Sequence, residues 1–230
     1  MTTGGNQPYF LPYIGYFQLI KAVDKFTMAD NMNFIKAGWI NRNRILLEGK
    51  DFLFSLPLIG ASSNKLISDI YIAEDTSKVL RITDLAYKKA PFYNDVFPLV
   101  ESIFSYEDRN LAKFVGNSIK QIIRYLGINT EIVYLSEIEG LDNSLKAIDR
   151  ILNICKVLGA TNLFNAIGGM ELYDKDIFDQ HNIKLNFVKT NTIEYKQFNN
   201  GFVPNLSILD VLMFNSVEDT NKLLNQYELL

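Results

Sequence analysis

Arg42 and Arg44 stand two residues apart in the stretch GWINRNRIL, residues 38–46, with Asn41 and Asn43 interleaved. In an extended chain successive side chains alternate, so both guanidinium forks fall on one side and both amides on the other. Paired forks suit a carboxylate or a diphosphate. The solvated face of an antiparallel hairpin carries the same pattern without any ligand. Trp39, the only tryptophan, either stacks on a base or sugar or anchors the hairpin to the core.

Other candidates are scattered along the chain. NQPYFLPYIGY places Gln7, Tyr9, Tyr13 and Tyr16 beside a helix start, with two prolines fixing the backbone around them. These aromatics serve either a ligand-facing turn or the core, and no glycine-rich phosphate loop accompanies them. Asp30 follows an extended stretch and precedes the arginine-bearing one. It is read as a single acid or base, or as an arginine's structural partner. YKKAPFY sets Lys88 and Tyr93 around Pro91 at a helix end, and NAIGGMELYDKDIF sets Gly169 and Tyr173 after a strand, where α/β proteins place ligand loops.

Nucleophilic and metal chemistry find little support. Cys155, the only cysteine, lies inside an apolar helical pattern, and His181, the only histidine, reads as a helix C-terminal residue. No nucleophile-elbow motif is present. No metal site is expected, with Asp174-Lys175-Asp176 keeping metal-dependent glycosyl transfer open as a third option.

The elements that position these residues follow from composition and period. At 230 residues with 48% hydrophobic content, the chain can bury a full core, and no linker or repeat divides it, so one domain over 1–230 is expected. A net charge of −3 argues against a general nucleic-acid binder. The single cysteine fits a reducing compartment; no apolar run is long enough to span a bilayer, and the first residues lack the basic region, apolar stretch and small-residue cleavage site of a leader. A cytoplasmic protein that does not bind membranes is expected, and a homo-oligomer is compatible with it.

MTTGGNQ reads as a polar start, followed by a helix over about 12–22 and a short extended KFTMA. Two strands joined near Glu48-Gly49-Lys50 form a hairpin signal, and LISDIYIAE adds a further strand. Helical periods follow at SKVLRITDLAYKKA, NDVFPLVESIFS and EDRNLAKFVGNSIKQIIRYLGI. Extended EIVYL, a capped helix DNSLKAIDRILNICKVLGA stopped by Gly159, extended TNLFNA and extended KLNFV complete the reading. Strand and helix alternation predicts an α/β fold, its mostly parallel sheet flanked by helices, with an antiparallel hairpin element around residues 39–73.

The stretches QPYFLPYIGYFQLIKAVDKF, NFIKAGWINRNRIL, AYKKAPFY, AIGGMELYDKDIF and PNLSILDVLMFN together resemble the WbqC-like protein family, in order and over nearly the whole chain. The resemblance implies bacterial gene clusters for O-antigen and other surface polysaccharides of the lipopolysaccharide kind, where modified amino sugars are made as nucleotide-linked precursors. Its matching positions are Gln7, Pro8, Tyr9, Trp39, Asn41, Arg42, Arg44, Lys88, Pro91, Tyr93, Gly169 and Tyr173. On this reading Arg42 and Arg44 face the diphosphate of a nucleotide-sugar, Trp39 or Tyr9 packs on its base or sugar, and Gln7 or Asn41 hydrogen-bonds the glycosyl part. Two functions are carried forward. One is an N-acyltransferase moving an acyl or aminoacyl group onto the amine of a nucleotide-linked amino sugar, with Asp30 as acid or base, an acyl thioester as co-substrate and no bound cofactor. The other is a non-catalytic subunit that holds a nucleotide-sugar or an acyl or aminoacyl carrier for a partner enzyme.

Overall fold

The computed structural model describes residues 1–199 and 201–230. In chain order the elements are β1 (Thr2–Asn6), α1 (Ile14–Lys21), β2 (Lys25–Met28), β3 (Arg42–Leu47), β4 (Lys50–Ser55), β5 (Leu58–Ile59), β6 (Tyr71–Ile72), α2 (Ser77–Tyr87), α3 (Tyr93–Phe104), α4 (Leu111–Tyr125) and β7 (Glu131–Tyr134). They continue with α5 (Ala147–Leu158), β8 (Asn162–Ala166), α6 (Lys175–Gln180), β9 (Lys184–Thr190), α7 (Ile208–Phe214), α8 (Val217–Leu223) and β10 (Tyr227–Leu229).

Six strands form one sheet in the order β10-β9-β8-β1-β2-β7. All neighbours are parallel except β10, which runs against β9. The fold is therefore α/β with a mostly parallel sheet flanked by helices, as the alternation of elements predicts. The stretch read as a polar start is its central strand. Gly4 and Gly5 carry no apolar signal, but they let β1 sit close to its neighbours. A Cβ on Gly4 would lie 2.9 Å from the Phe164 carbonyl oxygen, and one on Gly5 would lie 2.1 Å from Thr27 Oγ1.

The crossovers β1-α1-β2 and β7-α5-β8 travel in opposite directions across the sheet, so right-handed connections put their helices on opposite faces. The Gly4 position faces Leu19 and Val23 at α1. On the other face Cys155 of α5 and Phe178 of α6 pack with Leu163, Leu185 and Phe187 in a smaller core. The larger core lies on the α1 face and takes in the helices inserted between β2 and β7. The two directions part between β1 and β8. At such a switch point the carboxyl ends of neighbouring strands leave a crevice.

The expected hairpin is β3–β4, turned at Glu48 and Gly49, both with positive φ as a tight hairpin turn demands. A second pair, β5–β6, is only two residues deep. LISDIYIAE is thus mostly not strand: Ile67–Asp69 is one 3₁₀ turn, and Ile67, Ile70 and Ile72 are all buried at a spacing that does not alternate. The helix expected from Asp142 begins at Ala147, because the Asp142 carboxylate accepts the Ser144 amide in a turn instead of capping a helix. No helix among the described residues is long and apolar enough to cross a membrane.

Candidate binding cleft at the carboxyl edge of the sheet

After β1 the chain turns through Gln7–Tyr13 into α1. Phe10 and Leu11 are fully buried, and Leu11 adopts φ +43°, a conformation rare for a residue with a Cβ. Three elements hold this turn. Asn43 Nδ2 of β3 donates to the carbonyls of Phe10 (3.0 Å) and Leu11 (2.7 Å), the Ser207 hydroxyl donates to Leu11 (2.7 Å), and the Phe10 amide donates to the Trp39 carbonyl (3.1 Å).

With Phe10 and Leu11 pinned inward, Tyr9 and Tyr13 line an open cleft with Trp39, Asn43 and Asn205, about 310 Å³ in volume. Tyr13 and Asn205 also border a larger hollow of about 730 Å³, whose far wall is Ile167 after β8 and the segment from Lys189 to Tyr195 after β9. Gly15 makes the Tyr13 position possible: a Cβ there would lie 2.4 Å from the ring. Burial raises the pKa of Tyr9 and Tyr13, so both phenols stay protonated donors at neutral pH. Ala37, in the loop that carries Trp39, and Asn205, like Leu11, hold positive φ.

Arg42 and Arg44 share one side of β3, and both guanidinium carbons lie over the Trp39 ring, at 5.8 and 5.5 Å from its centre. Arg42 also donates to the carbonyls of Ala37 and Gly38, which braces the loop that carries Trp39. Arg44 is half exposed and has only a surface ion pair with Asp51 at 3.5 Å. The cleft wall is formed by Trp39, with the two cations stacked on it.

Asn41 clamps the hairpin by donating to Leu56 O at 3.1 Å, and Gln7 contributes its carbonyl to the Tyr16 hydroxyl at 2.9 Å. Tyr16 is buried and belongs to the core. Lys88 and Tyr93 lie at the α2–α3 junction, where Tyr93 donates to Asp84 at 2.6 Å and stacks on Phe97, and neither borders the cleft. Asp30 is 1% exposed; its two carboxylate oxygens accept the backbone amide and the hydroxyl of Ser136, tying the ends of β2 and β7 together. Its partner is therefore a serine, where the sequence suggested an arginine. Gly169 and Tyr173 meet Asn165 on the opposite side of β8: a Cβ on Gly169 would come within 2.9 Å of Asn165 Nδ2 and 3.2 Å of the Tyr173 ring.

Burial pushes the Cys155 thiol up to about 11, so it is no thiolate at neutral pH, and His181 caps the end of α6. No group of three or more His, Cys, Asp or Glu residues able to hold a metal occurs among the described residues. Asn205 is a lining residue that the sequence does not single out. Its one local signal is the Pro204-Asn205 pair, a turn signature whose asparagine tolerates the left-handed region.

An open, mostly parallel sheet flanked by helices, with an aromatic cleft at its carboxyl edge, places the chain among the α/β proteins. The WbqC-like protein family model matches residues 7–222, and the chain belongs to that family. It is 28% identical over 214 residues to the uncharacterized protein Rv1507c of Mycobacterium tuberculosis, the match covering 91% of each chain. No solved structure matches it.

Proposed function

We propose that the protein acts on a nucleotide-linked amino sugar in bacterial surface-polysaccharide biosynthesis, holding it in the Tyr9–Tyr13–Trp39 cleft and acylating its amine. The observation that carries this reading is the stacking of two guanidinium groups on the only tryptophan, at the carboxyl edge of the sheet. Aromatic faces suit a base or sugar ring, and Arg44, with only a surface carboxylate partner, has donors for a diphosphate. The cleft and its adjoining hollow have the size of an ordinary ligand site.

The absence of an ionised thiol is consistent with direct transfer. The sugar amine attacks the carbonyl carbon of an acyl thioester, the C–N bond forms, the C–S bond breaks, and the amine's lost proton leaves with the thiol. Such a step depends on holding two substrates in register. Asp30, bonded to Ser136 on both oxygens, holds β2 against β7 and supports the edge where they meet.

Trp39 supplies the test. Titrating the protein with nucleotide-linked amino sugars should change its single-tryptophan fluorescence and raise its melting temperature. Adding an acyl thioester should then yield the amide. Binding without turnover would make the protein a nucleotide-sugar-holding subunit, and no response to any nucleotide-sugar would reject the reading.

A further inference from the structure

On the face of the sheet opposite the aromatic cleft lies a slot of about 280 Å³ between α5 and the strands β1, β2 and β8. Its amide, phenol and guanidinium groups gather at one end. Asn6, Asn165, Tyr173 and Arg150 stand where β1 and β8 finish, whereas Ile154, Cys155 and Leu163 form the base beneath the glycines of β1. Arg150 is fixed in place by donating to Asn31 Oδ1 at 2.6 Å. No carboxylate lines the slot. The slot is thus amphipathic along its length, with amide, phenol and guanidinium donors at the mouth, and below it apolar side chains and two threonine hydroxyls spent on the backbone.

A nucleotide or sugar needs polar partners along its whole length, and the only polar side chains toward the base of this slot, Thr3 and Thr27, already donate their hydroxyls to the carbonyls of Lys25 and Gly4. A carboxylate or carbonyl with a short aliphatic tail has its single polar end where the donors are and its apolar end where they are not. We infer that this slot binds the acyl group of a short aliphatic acid, its carbonyl end at Arg150, Asn6 and Asn165 and its tail running toward Cys155. The source is either the free acid or its thioester.

The two cavities are close along the chain. Asn165 lines the slot and Ile167, two residues on at the start of a 3₁₀ turn, lines the hollow beside the cleft, a separation of at most about 7 Å along the backbone. An acyl carbonyl at the slot mouth therefore lies near the hollow that adjoins the cleft. This deepens the transferase reading and rests on it for its purpose, while binding in the slot is measured by itself.

The test is calorimetric titration of the full chain with the straight-chain acids from acetate to octanoate, with the matching N-acetylcysteamine thioesters, and with inorganic phosphate. Affinity should rise about fourfold for each added methylene until the slot is full and then fall. Tighter binding of the thioesters identifies an activated donor, and tighter binding of the free acids identifies the acid itself. Arg150→Gln should weaken the acids at every length. Cys155→Leu, which fills the base, should shorten the best chain; if that variant fails to fold, the wild-type length series decides alone. Affinity that does not change with chain length, phosphate binding as tight as the acids, or no binding overturns the assignment. Trp39 fluorescence with nucleotide-sugars reports separately: an intact response beside a flat length series rejects the slot and leaves the cleft standing.

Discussion

The side-chain amide of Asn43 lies 2.7 Å from the carbonyl oxygen of Leu11, joining the middle of β3 to a residue held at φ +43°. The same nitrogen also reaches the Phe10 carbonyl, so one buried amide satisfies two carbonyls that the turn withholds from any helix or strand. The hairpin is thereby built onto the cleft. Asn43→Leu should leave the Phe10 carbonyl buried and unpaired and the Leu11 carbonyl with only the Ser207 hydroxyl, destabilising the protein by about 1–3 kcal/mol in urea unfolding. Ligand affinity at Trp39 should fall with it, because the turn positions Tyr9 and Tyr13. A loss under about 0.5 kcal/mol would show that water replaces the amide.

Gly15 and Tyr13 permit a cleaner separation of folding from binding. The three atoms nearest to a methyl group at position 15 all belong to the Tyr13 phenol, and alanine favours the helix by about 1 kcal/mol over glycine. Gly15→Ala should leave stability unchanged or slightly raised while displacing the ring, and nucleotide-sugar affinity should drop about tenfold. In a Tyr13→Ala background the same substitution should change affinity no further. Additive losses in the double variant would show that Gly15 acts through the backbone instead.

What the sequence disclosed and what it hid have physical reasons. The α4 helix is legible because one face is buried along its length and Asn110 caps it, and Gly159 marks the end of α5 by adopting the left-handed conformation. The arginine alternation in β3 follows directly from strand geometry. β1 is silent because its two central glycines are selected by close approach to Thr27 and Phe164, and no local pattern encodes a neighbour distant in sequence. Helix α7 is equally silent: Ile208 through Met213 are all buried, so the stretch has no polar stripe to reveal its period. Tyr9 and Trp39 stood out as residue types, but their meeting depends on a hydrogen bond from Phe10 to Trp39 that joins separate segments.

Asp210 provides a pH-dependent signature. Its carboxylate is fully buried and accepts hydrogen bonds from Tyr195 (2.7 Å), Gln197 (2.7 Å) and Tyr87 (2.9 Å). Burial raises its pKa, and the three donors pull it back only in part. A carboxyl harder to ionise when folded binds its proton more tightly in the native state. Its share of stability is therefore complete below the ordinary carboxylate pKa and is lost as pH rises through the raised value. Wild-type stability should contain a decline over that window, and Asp210→Asn should lack it. Tyr195→Phe, which removes one donor from the ionised group, should cost about 1.5–3 kcal/mol at neutral pH and less in acid. Denaturant melts across the acid range distinguish these, and a cost independent of pH would place the tyrosine's contribution in packing.

The stack of Arg42 and Arg44 on Trp39 separates a ligand role from a structural one. Arg44 has an exposed ion pair and one cation–π contact, each worth about 1 kcal/mol or less, so Arg44→Met should change stability by less than about 1.5 kcal/mol. If its guanidinium meets a diphosphate, the same substitution should lower nucleotide-sugar affinity tenfold or more, and the salt dependence of binding should weaken with it. Arg42 holds two loop carbonyls, so Arg42→Met should instead loosen the Trp39 loop and lower affinity with a matching loss of stability. Fluorescence titration of each variant at two ionic strengths, paired with its melting temperature, reads both effects. Unaltered affinity in the Arg44 variant would assign the cations to bracing the indole and leave the aromatic faces as the binding surface.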